Sequence, residues 1–118
     1  MFRIGSEGLR IQVIIKSPDH ALLTLMGRLI AAGEEDESCP VTVLDGVLGD
    51  LIEVGVRHFE IDVTDLTDLD IFGVNLLHRL RAKASCSLIL PAAGSAIEPL
   101  LVMELITRFH WTVERRVA

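Results

Sequence analysis

The sequence predicts an α/β domain: a small mixed β-sheet with one antiparallel hairpin at its edge and helices packed against it. Two strand-like segments follow one another near the start of the chain, and helix-like and strand-like segments then alternate. Consecutive strands pair as an antiparallel hairpin, whereas alternation implies parallel strands joined by right-handed crossovers. A chain of 118 residues is the size of one domain, so we expect residues 1–118 to form a single unit.

The hairpin is indicated by β-branched residues on either side of a turn. Residues 9–16 are rich in isoleucine and valine, and the following Ser-Pro-Asp sequence is typical of a turn. The apolar pattern resumes over residues 21–30 and contains Gly27, which indicates a bulge or a close approach of another backbone. Residues 33–38 then form a charged stretch, which predicts a solvated loop.

Helices and strands alternate in the remainder of the chain. Apolar residues spaced three and four apart predict three helices, near residues 43–54, 70–83 and 97–107. Gly55 is placed to end the first helix as its C-terminal cap. Ser95 and Pro99 give competing signals for the start of the third helix, as a capping residue and as a first-turn proline. Short apolar runs predict three further strands, over residues 57–63, 86–90 and 111–113.

Composition argues against several classes of function. The formal net charge is -6 with no concentrated basic face, and aromatic residues are few, so we expect no nucleic-acid binding. No apolar run reaches the roughly 20 residues that cross a bilayer, and no leader-like segment opens the chain. We therefore expect no membrane insertion and a cytoplasmic location.

The two cysteines, Cys39 and Cys86, are far apart and lack the spacing of a metal site. In the cytoplasm they are expected to be free thiols, with a redox-sensing pair as the alternative.

Residues 59–74 are the most informative segment, because a buried-type strand leads through a polar turn into an apolar-faced helix. The segment resembles the STAS domain of bacterial anti-sigma factor antagonists. In that family the strand ends in Asp-hydrophobic-Ser/Thr, and the next helix opens with Asp-Ser-Ser/Thr-Gly-Leu. Five residues here match that pattern: Asp62, Thr64, Asp70, Gly73 and Leu77. A Gly-x-Leu at the end of the second strand also matches, as Gly27-Arg28-Leu29.

The two hydroxyl positions of the family pattern differ in this chain. Ile71 and Phe72 occupy them, and Phe72 stands where a partner kinase phosphorylates the family's serine or threonine. Neither side chain can accept a phosphoryl group, so no phosphorylation is expected at this motif. Phe72 has two interpretations: an exposed hydrophobic anchor for a partner, or a residue that packs inward over the adjacent strand and helix.

Four carboxylates, Asp62, Asp65, Asp68 and Asp70, crowd the predicted turn. Such a cluster suits a metal or a phospho-acceptor site at the end of a parallel strand. The alternative, which we favour, is that Asp68 or Asp70 caps the helix and the others keep the turn solvated. The four histidines, ending with His110, have no metalloprotease spacing, and no nucleophile elbow or phosphate-binding loop is present. We expect neither an enzyme nor a cofactor nor a metal.

The resemblance implies a non-catalytic regulatory binding domain whose protein partner is an anti-sigma factor of the ATP-binding kinase type. The expected partner-binding residues surround the start of the second helix: Asp68, Asp70, Ile71, Phe72, Gly73 and Asn75. One alternative is an adaptor subunit of a lipid-transport or stress-signalling assembly. Another is a sensor that holds a small anion or nucleotide at the helix N-terminus. The sequence leaves a homodimer open.

Overall fold

A computed structural model of the chain describes residues 2–6, 8–31, 39–90, 97–107 and 111–115. The loop expected at 33–38, the capping role of Ser95 and His110 fall outside these residues. The sheet has six strands: β1 (Phe2–Ser6), β2 (Leu9–Ser17), β3 (His20–Leu29), β4 (His58–Leu69), β5 (Ser85–Leu90) and β6 (Thr112–Arg115). The helices are α1 (Pro40–Glu53), α2 (Ile71–Arg81) and α3 (Glu98–Leu101), and α3 continues as a π-helical segment, Val102–Thr107.

The strands lie in the sheet in chain order, from β1 at one edge to β6 at the other. β1, β2 and β3 pair antiparallel, and β3 to β6 pair parallel. The predicted fold class is therefore confirmed. β1 is an additional strand that the sequence did not predict, and it lies outside the predicted hairpin.

The three helices lie on one face of the sheet, because right-handed crossovers between successive parallel neighbours all pass over the same side. Alternate strand residues point into this layer, among them the fully buried Leu23, Ile61 and Leu88. Leu44 of α1 and Leu77 of α2 pack into the same core from the helical side. In the part of the chain that the structure describes, no helix is both long enough and apolar enough to cross a membrane.

Gly27 makes the close backbone approach that its place in the strand indicated. It has φ +100°, and a Cβ added to it would lie 2.1 Å from the backbone oxygen of Gly8. The same oxygen accepts a hydrogen bond from the nitrogen of Arg28 at 2.7 Å. A side chain at position 27 would therefore break the contact that joins the start of β2 to the end of β3.

β4 differs from the prediction in length. The segment 64–68, expected as a polar turn, continues the strand to Leu69 and pairs with the end of β3. The register shifts between Thr24 and Met26 and again after Gly27, so bulges accommodate the extra length. Because Leu66 and Leu69 are buried in the core, the pairing is supported by apolar burial despite the many polar residues around them.

Candidate functional site

The N-terminus of α2 is held by Asp70, which is its N-cap residue. One carboxylate oxygen, Oδ1, accepts a hydrogen bond from the backbone nitrogen of Gly73 at 2.9 Å. The other oxygen, Oδ2, accepts one from the backbone nitrogen of Ala31, just beyond the end of β3, at 2.8 Å. The capping interpretation of the carboxylate cluster is therefore confirmed for Asp70. The same side chain also ties the helix to the neighbouring strand.

Gly73 is buried in the first turn of α2. A Cβ at this position would lie 2.7 Å from the backbone oxygen of Leu29 and 2.8 Å from Cδ1 of Leu69. The absence of a side chain thus lets the helix begin directly against the end of β3. Gly73 sets the position of the helix, and its burial leaves it no exposed side to offer a partner.

The first two residues of α2 are apolar and exposed. Ile71 is 53% exposed and Phe72 is 56% exposed, because the buried face of the helix begins only at Gly73 and continues through Val74 and Leu77. The inward-packing interpretation of Phe72 is therefore wrong. The polar residues Asp68 and Asn75 are also exposed. We call the surface formed by Asp68, Ile71, Phe72 and Asn75 the α2 entry surface.

Asp68 is paired on this surface. Its Oδ2 lies 3.3 Å from Nε of Arg28, and its Oδ1 accepts a hydrogen bond from the backbone nitrogen of Leu69 at 3.1 Å. Both partners of the ion pair are more than half exposed, so the pair contributes little to stability. Its effect is to hold one charge of each sign at the edge of the α2 entry surface.

Two other carboxylates of the motif, Asp62 and Asp65, lie within β4 and not at the start of α2. Asp62 is 0% exposed, and its Oδ1 accepts a hydrogen bond from the backbone nitrogen of Thr64 at 2.9 Å. Asp65 is exposed further along β4. Within the described ranges, no group of three or more His, Cys, Asp or Glu side chains could hold a metal ion. The four aspartates therefore do not form one site.

The two threonines near the motif differ in their environment. Oγ1 of Thr64 is inaccessible and has no hydrogen-bond partner among the described residues. Thr67 is exposed, and its hydroxyl donates to the backbone oxygen of Gly27 at 2.9 Å. Thr67 is thus the more accessible of the two hydroxyls.

A histidine pair that sequence reasoning missed lies at the opposite end of the sheet. His20 and His58 begin β3 and β4 and are direct partners in the parallel register, with ring centroids 6.2 Å apart. His20 Nε2 lies 3.1 Å from Glu60, and Glu60 also pairs with Lys16 at 2.9 Å. Only the strand register brings these residues together, so no local spacing could have revealed them.

Both cysteines are free and buried. The thiol of Cys39 lies 3.1 Å from the backbone oxygen of Ala31, beside the Asp70 anchor. Burial raises the pKa of the Cys86 thiol from 9.0 to about 12, and the nearby charge of Arg81 opposes the shift only in part. Cys86 therefore carries no thiolate at neutral pH.

A shallow groove between α1 and α2 was also missed. Asp45 and Gly49 line it from α1, and Arg79 and Lys83 line it from the α2 side. The sequence does show that the two sides differ in charge, because the charged residues of α1 are all acidic and those of the α2 segment are basic.

No protein-family model matches the chain, and no curated protein matches its sequence. Its structure is similar to solved structures of anti-sigma factor antagonists. An antagonist from Mycobacterium paratuberculosis superposes with a TM-score of 0.68 at 11% identity, covering 92% of this chain and 90% of that one.

The Bacillus protein SpoIIAA is similar in both of its forms. The phosphorylated form, described as a cell fate determinant, gives a TM-score of 0.63 at 12% identity, with 91% of each chain covered. The unphosphorylated form gives 0.59 at 16% identity, covering 91% of this chain and 89% of that one. The sheet order, the helices on one face and these likenesses together show that the chain has the STAS fold of the anti-sigma factor antagonists.

Proposed function

We propose that the chain is a non-catalytic regulatory domain that binds an anti-sigma factor through the α2 entry surface, without a phosphorylation switch at the helix. The observation that carries the proposal is the exposure of Phe72. Its aromatic ring is 56% exposed and lies in the first turn of α2. The family that this segment resembles carries its phosphorylated hydroxyl at the same position. Three solved structures that are similar to this chain are of anti-sigma factor antagonists.

The surroundings of Phe72 support a binding role. Exposed Ile71 lies beside it, and the other large exposed apolar side chains in the described chain, Ile15, Val54 and Met103, occur singly along the sequence. Asp70 fixes the helix start with two hydrogen bonds, so the ring is presented from a rigid backbone. Little ordering entropy is lost when such an anchor binds, which favours affinity.

The absence of a switch follows from the chemistry of the two apolar residues. A phosphoryl group would add about two negative charges at the helix start and change the contact with a partner. Ile71 and Phe72 offer no oxygen to receive it. Binding through this surface therefore responds to the concentration of the partner and not to its kinase activity.

An anion sensor at the same helix start is disfavoured by Asp70. Its carboxylate already accepts from the backbone nitrogen of Gly73, which is one of the donors that an anion would need. An incoming phosphate would also meet the negative charge of that carboxylate. A bound anion would have to displace the Asp70 carboxylate from the Gly73 nitrogen, and that hydrogen bond caps the helix.

The proposal is tested by titration calorimetry against each ATP-binding anti-sigma factor encoded in the same genome, with and without ATP. We expect at least one to bind with a micromolar or tighter dissociation constant, and mass spectrometry to find the peptide 68–76 unmodified after incubation with ATP. Phosphate on Thr67 would show that the switch had moved along the chain. If none of the anti-sigma factors binds, the anti-sigma assignment is wrong and the adaptor interpretation replaces it.

A further inference from the structure

The outward faces of α1 and α2 carry opposite charge. The charged residues of α1 are Asp45, Asp50 and Glu53, and all three are exposed. Across the groove, the exposed charged residues of α2 and the turn after it are Arg79, Arg81 and Lys83. The surface formed by α1 and α2 therefore has an acidic half and a basic half side by side.

The two halves do not neutralise each other by direct contact. The ion pairs among the described residues join strands of the sheet or its turns, and none of them links α1 to α2. Arg79 and Lys83 line the groove together with Asp45, yet no hydrogen bond or ion pair between them falls within the described part of the chain. Their charges are available to a molecule that covers the layer.

The two helices also match in direction and in level. Each connects one parallel strand to the next, so α1 and α2 run the same way along the sheet. The segment 45–52 of α1 and the segment 76–83, which covers the end of α2 and its following turn, line the same groove. Because the two segments are equally long, corresponding turns of the two helices lie at about the same level.

We propose that this helical layer is a homodimer interface in which two copies pack face to face, with α1 of each copy over α2 of the other. A two-fold axis that runs along the groove, parallel to the helices, produces this arrangement. It preserves the level of each turn, so Glu53 of one copy faces Lys83 of the second copy, and the symmetry forms this pair twice. The acidic half of each layer then covers the basic half of the other.

The residue spacing on the two helices fits the same register. Thr42 and Gly49 on α1 are seven residues apart, as Phe72 and Arg79 are on α2, and Glu53 and Lys83 each follow four residues later, Lys83 in the turn after the helix. Phe72 and Arg79 of one copy thus face Thr42 and Gly49 of the second copy, which have small side chains. In this arrangement, the Phe72 ring and the Arg79 side chain of one copy cover a flat surface on α1 of the second copy.

Two exposed glycines in the middle of α1 agree with this packing. A Cβ added at Gly46 or Gly49 would meet no atom within 4 Å, so the fold itself does not require glycine at either position. Glycine lowers helix propensity, and its cost is offset here by close approach of the second copy. The dimer covers Phe72, and self-association therefore competes with any protein that binds the α2 entry surface. The dimer does not depend on the identity of that protein.

The dimer is tested by sedimentation velocity on the full chain over a range of concentrations and salt. We expect a reversible monomer–dimer equilibrium that salt weakens. Glu53→Lys and Lys83→Glu should each raise the dimer dissociation constant at least tenfold, because each places like charges together twice. The double variant Glu53→Lys/Lys83→Glu should restore the wild-type constant. Arg10→Glu, an exposed charge reversal on β2, is the matched control and should leave the constant unchanged.

Gly49→Gln separates this interface from a purely structural role of the helix. A Cβ at position 49 meets open space, and glutamine favours the helix more than glycine does, so the melting temperature of the monomer should rise while dimerisation weakens. A chain that remains monomeric at millimolar concentration, or a dimer that neither charge reversal affects, overturns the proposal. Binding of an anti-sigma factor by such a monomer would leave the proposed function standing.

Discussion

The Asp70 carboxylate accepts a hydrogen bond from the backbone nitrogen of Ala31 at 2.8 Å, although the two residues are 39 positions apart. This bond joins the start of α2 to the chain that leaves β3. The same carboxylate caps the helix through Gly73, so one side chain determines where the α2 entry surface lies relative to the sheet.

Asp70→Ala should lower the free energy of unfolding by about 2 kcal/mol, because it removes the helix cap and leaves the Ala31 nitrogen without its partner. Asp70→Asn keeps an acceptor oxygen for the cap and should lose about half as much. Asp45→Ala, an exposed aspartate on α1, is the control and should stay within about 0.5 kcal/mol of the wild type. Urea denaturation followed by circular dichroism, at a concentration at which the protein is monomeric, measures all three. An Asp70→Ala protein as stable as the wild type would show that the two bonds are not important.

Gly27→Ala should destabilise the domain by more than about 3 kcal/mol, because the new Cβ would lie on the Gly8 oxygen and the residue has a positive φ. Gly46→Ala is expected to have the opposite effect on stability. Its Cβ meets open space, so the better helix propensity of alanine should raise stability by about 1 kcal/mol. Thermal and urea unfolding at a concentration at which the protein is monomeric give both values. Equal effects of the two substitutions would contradict the close approach at Gly27.

The sequence was sufficient for those parts of the fold that local pattern determines. Apolar spacing placed α1 and α2 within a few residues of their observed bounds, and Gly55 does follow the end of α1 with φ +111°. Asp70 was one of two residues predicted to cap the helix, because a carboxylate at a helix start can accept hydrogen bonds from the free backbone nitrogens of the first turn. Position along the chain was enough in each of these cases.

The remainder depends on contacts between distant segments. β1 has only five residues and includes a glycine, and its identity as a strand comes from pairing with β2. The segment 64–68 is polar in composition, yet pairing with β3 extends β4 through it. The exposure of Phe72 was also undetermined, because the rotation of α2 is set by the packing of Gly73 on Leu29.

The buried thiol of Cys86 should make stability depend on alkaline pH. Its pKa is raised from 9.0 to about 12 in the folded state, so between these values the unfolded chain loses a proton that the folded chain keeps. The contribution is fully present below pH 9 and is lost as the pH rises towards 12, by up to about 1.4 kcal/mol per pH unit. We expect the stability of the wild type relative to Cys86→Val to fall over this range in urea titrations. A difference that does not vary with pH would show that the thiol is not buried as described.

The last prediction concerns Phe72 as an anchor. Phe72→Ala should change the free energy of unfolding by less than about 0.5 kcal/mol, because the ring is 56% exposed. It should weaken binding of the anti-sigma factor by about 2 kcal/mol, or about thirtyfold in dissociation constant. Ile15→Ala is the matched control, since Ile15 is 46% exposed at the opposite end of the sheet. It should leave binding unchanged when calorimetry is run below the dimer dissociation constant.

Phe72→Ser extends the test by placing a hydroxyl where the resembling family carries one. With an anti-sigma kinase from the same cell and ATP, we expect phosphate on residue 72, because the capped helix start already presents this position to solvent. The phosphorylated variant should then bind more weakly than the unmodified one, since the added charge lies near Asp68 and Asp70. A folded Phe72→Ser protein that neither accepts phosphate nor binds any such kinase would refute the anti-sigma assignment. The exposed ring would then be the anchor of an adaptor that serves a different assembly.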